Sequence, residues 1–171
     1  MKKSVFFDRD GVLNELINRD GGLFSPQNIN QFKVYNYAKK TISKLKEIGY
    51  LSIVISNQPD IKRGKLKKID LDMMTEILFN KLLVDDVFYC VHDDDDNCIC
   101  RKPYAGLLIK ASEKWSLNLA KSYMVGDTWR DLEAANKAGV KFLLLNKKYN
   151  TDYSDVRRIE KLEDIVKIIR R

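Results

Sequence analysis

No stretch of the 171-residue chain approaches the roughly 18 consecutive apolar positions that a membrane-spanning helix needs. The apolar part of the opening MKKSVFF is also too short for a secretory signal. A cytoplasmic protein with no membrane partner is therefore expected. The chain shows no internal repeat, no low-complexity tract beyond the run Asp93 to Asp96, and no insertion large enough to form a second domain. At this length a single domain over residues 1–171 is expected, long enough for a real core. Histidine occurs once and cysteine three times; in a reducing compartment those thiols would not be held as disulfides.

Positive charge, by contrast, is plentiful. Lys and Arg number 31 against 24 acids, a formal charge of +7, which favours anionic ligands in general. The basic residues are spread through predicted helices (Lys39, Lys40, Lys44 and Lys46; Lys62 to Lys68) without an interleaved aromatic stripe. A solvated surface is thus favoured over a nucleic-acid groove.

Apolar periodicity alternates between strand and helix along the whole chain. Lys3 to Phe7, Tyr50 to Ser56, Asp86 to Cys90, the run within KSYMVGD and KFLLL (141–145) read as short buried strands. Between them, helical stripes fall at Val34, Ala38, Ile42, Leu45 and Ile48; at Leu66, Ile69, Met73, Ile77 and Leu82; at Leu107, Leu108, Ala111 and Trp115, with Pro103 in the first turn; and at Leu132, Ala135 and Ala138. A last helix holds Leu162, Ile165, Val166 and Ile169. The order βαβαβαβαβα with short crossovers predicts a mostly parallel α/β sheet with helices on both faces. The stretch from Glu15 to Phe32 has no clear period and is expected to be a long loop beside the substrate.

In such sheets ligands bind at the carboxyl ends of the strands, and four strand ends here carry chemistry. FFDRDGVLN places Asp8 and Asp10 after the first strand, with Gly11 permitting the chain to turn so that both acids share one site. Two like charges that close are costly when buried, and a bound cation would remove the cost. The second strand ends in Ser56 and Asn57. CRKPYAG brings Arg101 and Lys102 to a helix start, and MVGDTWRD places Asp127 and Asp131 across another. A separate cluster collects all three cysteines and the only histidine: CVHDDDDNCIC gives Cys90, His92, Cys98 and Cys100, two pairs of soft ligands around a five-residue connector. Four N and S donors suit a closed tetrahedral Zn²⁺ site.

In chain order these four stretches resemble the motifs of the haloacid dehalogenase (HAD) superfamily of phosphohydrolases, and the resemblance runs from about Val5 to Leu145. It implies a Rossmann-like fold of the capless kind and an Mg²⁺-dependent phosphomonoesterase. By that resemblance Asp8 is the nucleophile that forms an aspartyl phosphate and Asp10 the acid and base. Ser56 and Asn57 hold phosphoryl oxygens, Lys102 neutralises the phosphate, and Arg101 contacts substrate. Asp127 completes an Mg²⁺ site with the Asp8 carboxylate and the Asp10 backbone carbonyl, while Asp131 coordinates through water or orients Lys102. The Cys-x-His and Cys-x-Cys loop leading into Arg-Lys-Pro resembles the subgroup that includes the heptose bisphosphate and histidinol-phosphate phosphatases, where a zinc-braced loop (90–100 here) stands over the site.

The substrate so implied is a small phosphorylated metabolite: a sugar phosphate of surface-polysaccharide precursor synthesis, such as a heptose bisphosphate, or an amino-alcohol phosphate. The short connector is nearer the histidinol-phosphate type, whereas GKLKKIDLDMM and GDTWRD look more like the heptose type. Asp93 to Asp96 read either as a solvated tip or as carboxylates selecting an ammonium-bearing substrate. A monomer is expected. The competing readings are a nucleic-acid 3′-phosphatase of the same superfamily and an inactive phosphatase-like scaffold presenting the zinc loop as a binding module.

Overall fold

A computed structural model describes residues 1–153 and 155–170. Six parallel strands form one sheet: β1 (Lys3–Phe7), β4 (Tyr50–Asn57), β5 (Asp86–Cys90), β6 (Tyr123–Gly126), β7 (Lys141–Leu145) and β8 (Arg158–Ile159), in the spatial order β5-β4-β1-β6-β7-β8. The central strand is apolar on both faces because both are covered. Val5 and Phe7 point into one cluster with Ile42, Leu45, Leu71 and Met74, while Phe6 points into the other with Leu107, Leu108 and Ala134. Successive residues thus feed opposite layers, as the two-residue period of a strand requires. Helices α1 (Asn36–Glu47), α2 (Lys68–Ile77) and α5 (Asp164–Ile169) cover the first face, and α3 (Gly106–Trp115) and α4 (Trp129–Ala138) the second.

From β1 the chain winds outward through β4 to β5, then returns to β6 on the other side of β1. The switch point of the sheet therefore lies between β1 and β6, where diverging crossovers leave a crevice at the carboxyl ends. Among the described residues no cap-sized insertion closes that crevice, in keeping with the capless α/β architecture expected from the sequence.

Three expectations are corrected. The supposed loop after Asn14 contains an antiparallel hairpin, β2 (Ile17–Arg19) and β3 (Gly22–Phe24). Asp20 and Gly21 both take positive φ, +49° and +77°, the two-residue turn for which Asp-Gly is the usual signal; the strands are too short for a visible period. In α2 the buried row is Leu71, Met74, Leu78 and Leu82, whereas Ile69 is 63% and Met73 42% exposed. The buried row runs on through the following turn Leu78–Leu82, a π-helix, at the three- and four-residue spacing of one helix face. Helix α3 begins at Gly106, not Pro103, because loop 90–100 docks on its start: Gly106 N–H donates to the Ile99 carbonyl at 3.1 Å, and a Cβ at Gly106 would lie 2.4 Å from that oxygen. At its other end Trp115 is only half-buried and donates to Asp86 at 2.7 Å. The last strand, β8, lacks any signal of its own at two residues.

The phase of α2 yields a direct comparison. Leu71→Ala should cost about 2–5 kcal/mol of unfolding free energy, and Ile69→Ala within about 0.5 kcal/mol, both measured by urea denaturation.

Candidate active site

Asp8 leaves β1 at the crevice, with its backbone N–H still donating to Val125 O of β6 at 3.0 Å. The chain then curls so that the N–H groups of Leu13 and Asn14 donate to Arg9 O, at 2.8 and 3.2 Å. Gly11 makes the bend possible. Its φ is +84°, and a Cβ there would lie 2.3 Å from Asp127 Oδ2, so a side chain is excluded by conformation and by space alike.

Lys102 is the centre of the arrangement. It is 3% exposed, and its Nζ donates to Asp131 Oδ1 at 2.6 Å, pairs with Asp8 Oδ1 at 2.8 Å and donates to Ile55 O at 3.0 Å. Asn57 holds the lysine's own backbone from both sides, Nδ2 to Lys102 O at 2.9 Å and Lys102 N–H to Oδ1 at 3.0 Å. Asp131 spends its second oxygen on the start of α4, accepting from Thr128 N–H at 3.1 Å and Thr128 Oγ1 at 2.7 Å. Its two oxygens thus orient Lys102 and cap the helix. Burial works against the Lys102 ammonium, but the carboxylates of Asp131 and Asp8 outweigh it and hold its pKa above the ordinary lysine value.

Asp127, at the end of β6, is 2% exposed. Tyr149 O–H donates to its Oδ2, and Asn150 Nδ2 donates to its backbone carbonyl at 2.9 Å. Its Oδ1 is buried with no hydrogen-bond partner among the described residues. Burial pushes the Asp127 carboxyl up to about 7, with Asp131 adding to the rise. Burial also raises Asp8 well above the usual carboxylate range, against the pull of Lys102. Acceptor oxygens of Asp8, Asp127 and Asp131 lie within 4.8 Å of one another. One lysine does not balance three buried carboxylates, and an orphaned carboxylate oxygen among them is what a hard, oxygen-seeking cation fits. Asp10 lies outside that cluster of three: its carboxylate accepts from Arg9, Asn14 and Gln58.

The second cluster is equally compact. Cys90 Sγ lies 3.7 Å from Cys98 Sγ and 3.3 Å from Cys100 Sγ, Cys98 and Cys100 are 3.5 Å apart, and His92 Nδ1 is 3.5 Å from Cys90 and 3.2 Å from Cys100. A tetrahedron with metal–sulfur bonds of about 2.3 Å has edges of about 3.8 Å, so these donors already stand at metal-site spacing. Burial pushes the Cys90 thiol up to about 12, a cost that a bound cation would remove.

Between the two clusters lies a cleft of about 690 Å³, lined by Asp8, Asp10, Lys102 and Asp127 at its floor and by Phe24, Arg63, Asp94, Arg101 and Arg130 higher up. Ser56 is buried behind it, its hydroxyl accepting from Gln58 Nε2 at 2.9 Å. The side chain of Asn57 braces Lys102, so the role expected for it toward phosphate is left to its backbone. Arg101 does reach the cleft, with Nε on Asp94 Oδ1 at 2.8 Å and Nη1 on His92 O at 3.3 Å. Of the acidic run, Asp93 binds Arg63 through both oxygens at 2.5 and 2.6 Å, Asp96 binds Lys62, and Asp94 binds Arg101. Among the described residues only Asp95 of the four lacks an ion pair. Nothing in the sequence pattern singles out Arg9, Tyr149 or Asn150, whereas Gln58 had one usable signal, a polar residue two places beyond Ser56 at a strand tip.

A family model described as HAD-hyrolase-like matches residues 99–166. The D-glycero-beta-D-manno-heptose-1,7-bisphosphate 7-phosphatase of Haemophilus ducreyi is 35% identical over 156 residues, covering 84% of this chain and 82% of its own. The protein of the same name from Helicobacter pylori strain 26695 is 30% identical over 175 residues, covering 96% and 98%. Among solved structures, D,D-heptose 1,7-bisphosphate phosphatase from B. bronchiseptica, complexed with magnesium and phosphate, superposes with a TM-score of 0.85 at 26% identity over 98% of this chain and 97% of that one. With identity at that level sustained over four fifths or more of both chains, this protein belongs to the HAD family of phosphatases.

Proposed function

We propose that residues 1–171 form a single Mg²⁺-dependent phosphomonoesterase domain acting on a phosphorylated sugar, with a heptose bisphosphate as substrate and a place in surface-polysaccharide precursor synthesis. The observation that carries the chemistry is the shared lysine: Nζ of Lys102 lies 2.8 Å from Asp8 and 2.6 Å from Asp131, beside the unpartnered oxygen of Asp127. The names of the relatives support the substrate. The cleft wall carries Arg63, Arg101 and Arg130, of which Arg63 and Arg101 pair with Asp93 and Asp94 of the acidic run. Neither a free ammonium-selecting carboxylate pair nor three free guanidinium groups therefore face the substrate; Arg130 is the wall guanidinium without an ion pair among the described residues. No helix among the described residues is long and apolar enough to cross a membrane.

In the first step an Asp8 oxygen attacks phosphorus, a P–O bond to Asp8 forms, and the bond to the leaving oxygen breaks as Asp10 gives that oxygen its proton. In the second, the Asp10 carboxylate takes a proton from water, whose oxygen attacks phosphorus and displaces the Asp8 carboxylate, releasing inorganic phosphate. Lys102 neutralises the equatorial oxygens in both steps from a position that costs no reorganisation. Asp131 and Asn57 keep it there. Mg²⁺ held by Asp8, Asp127 and the Asp10 backbone carbonyl would supply further charge neutralisation on the phosphoryl group. Zn²⁺ held by Cys90, His92, Cys98 and Cys100 would be structural, since four protein donors leave no open position.

Asp8→Asn should reduce phosphate release from a heptose bisphosphate by at least about a thousandfold, with the unfolding midpoint in urea little changed; activity within tenfold of the parent would refute the nucleophile. The purified protein should contain one zinc per chain by elemental analysis, and Cys98→Ser should lower both zinc content and Tm. Full zinc occupancy in that variant, or none in the parent, would remove the zinc site.

A further inference from the structure

Tyr149 has no part in either step above, yet the loop that carries it is fastened so as to bring its hydroxyl to one atom. Residues 146–153 follow β7 and contain neither helix nor strand. Arg158 of β8 gathers them: its guanidinium donates to Asn146 Oδ1, Asn150 O and Tyr153 O, each at 2.9 Å. Asn150 closes a turn by accepting from the Lys147 N–H at 3.0 Å, and ties that turn to the sheet by donating to Leu145 O at 3.0 Å and Asp127 O at 2.9 Å. Tyr149 is thereby set against the Asp127 carboxylate and donates to Oδ2.

That hydrogen bond divides the carboxylate. Oδ2 is held by the phenol and faces Gly11, where a Cβ would lie 2.3 Å away. Oδ1 is buried and has no partner among the described residues. The neighbouring acids are divided as well. Asp8 Oδ1 accepts from the Arg9 N–H at 2.7 Å and pairs with Lys102, while Asp131 gives one oxygen to Lys102 and the other to Thr128. Among the described residues, then, these three acids offer single oxygens and no free pair.

Mg²⁺ and Ca²⁺ differ in this respect. Mg²⁺ holds to six oxygens at about 2.0–2.1 Å and keeps several waters, whereas Ca²⁺ takes about six to eight at about 2.3–2.6 Å and readily uses both oxygens of one carboxylate. To bind a cation through both oxygens Asp127 would have to release the phenol, leaving a part-buried hydroxyl without its acceptor.

We infer that Tyr149 is a positioning residue that sets which cation the site accepts: by holding Oδ2 it makes Asp127 a one-oxygen ligand and favours Mg²⁺ over Ca²⁺. This rests on the proposed metal site at Asp8 and Asp127. Groups that orient metal ligands in this way typically govern about 10–100-fold in affinity, and here the effect falls unequally on the two cations.

The test is isothermal titration calorimetry of the zinc-loaded protein with Mg²⁺ and with Ca²⁺, comparing the parent, Tyr149→Phe and, as reference, Asp127→Asn. Tyr149→Phe removes one oxygen from a side chain that is 44% exposed and leaves the ring in place, so the fold is kept. The parent should prefer Mg²⁺, and the ratio of the Ca²⁺ to the Mg²⁺ dissociation constant should fall at least about tenfold in Tyr149→Phe. If Asp127→Asn abolishes Mg²⁺ binding while Tyr149→Phe leaves the ratio unchanged, whether both affinities are kept or fall together, Tyr149 is structural and the inference is overturned with the metal site intact. A parent that prefers Ca²⁺ overturns it too. If the parent binds no Mg²⁺, or Asp127→Asn binds it equally well, the metal site itself fails and the inference falls with it.

Discussion

A single buried ammonium holds this site together. Lys102 is shared between the end of β1 through Asp8, the end of β4 through Ile55 O, and the first turn of α4 through Asp131, so one cation ties together three of the elements that meet at the crevice. Buried carboxylates repel one another and lose their hydration, and without a partner each would take up a proton instead. The lysine pairs with Asp8 and Asp131, though burial still holds the Asp8 carboxyl above the usual range. It leaves Asp127 with an unpartnered oxygen and a raised pKa, the deficit that a divalent cation fits. Gly11, Asn57 and Thr128 then make sense as parts that let these groups approach without collapse.

The upper half of the site is built differently. Loop 90–100 is held to the segment after β4 by ion pairs, Arg63 to Asp93 and Lys62 to Asp96, and exposed pairs of this kind contribute only about 0–1 kcal/mol each. They cannot by themselves fix a short loop that carries few apolar contacts. A Zn²⁺ held by the four sulfur and nitrogen donors would supply the rigidity the ion pairs lack, beside the Ile99 carbonyl seated on Gly106. Arg101 follows directly on the last cysteine, so its place at the cleft wall would depend on that brace.

Most of the site was legible in the sequence because its signals are local. Asp8, Asp10, Lys102 and Asp127 each follow a short apolar run or open a helix, and strand ends at a switch point must converge. The cysteines and the histidine needed only spacing. What escaped depends on long-range packing. Arg9 sits in a polar turn where nothing local marks it as buried; Phe32, Met74 and Tyr89, far along the chain, cover it. Tyr149 and Asn150 reach Asp127 from a loop with no pattern of its own. The acids of the 93–96 run pair with Lys62 and Arg63 some 30 positions earlier, which no local window can reveal. In the fold, the Asp20-Gly21 turn signal was present but its strands were only three residues long, and in α2 the apolar Ile69 and Met73 offered a second stripe that competed with the one actually buried.

The central claim concerns convergence, and a crystal structure grown with Mg²⁺ and trifluoroberyllate, a mimic of the phosphoryl group, tests it most directly. The account predicts beryllium bonded to an Asp8 oxygen, the metal ion on Asp8 and Asp127, and Lys102 Nζ in contact with a fluoride. A fluoroberyllate bound elsewhere, or a metal ion that leaves the buried Asp127 oxygen unliganded, would contradict it.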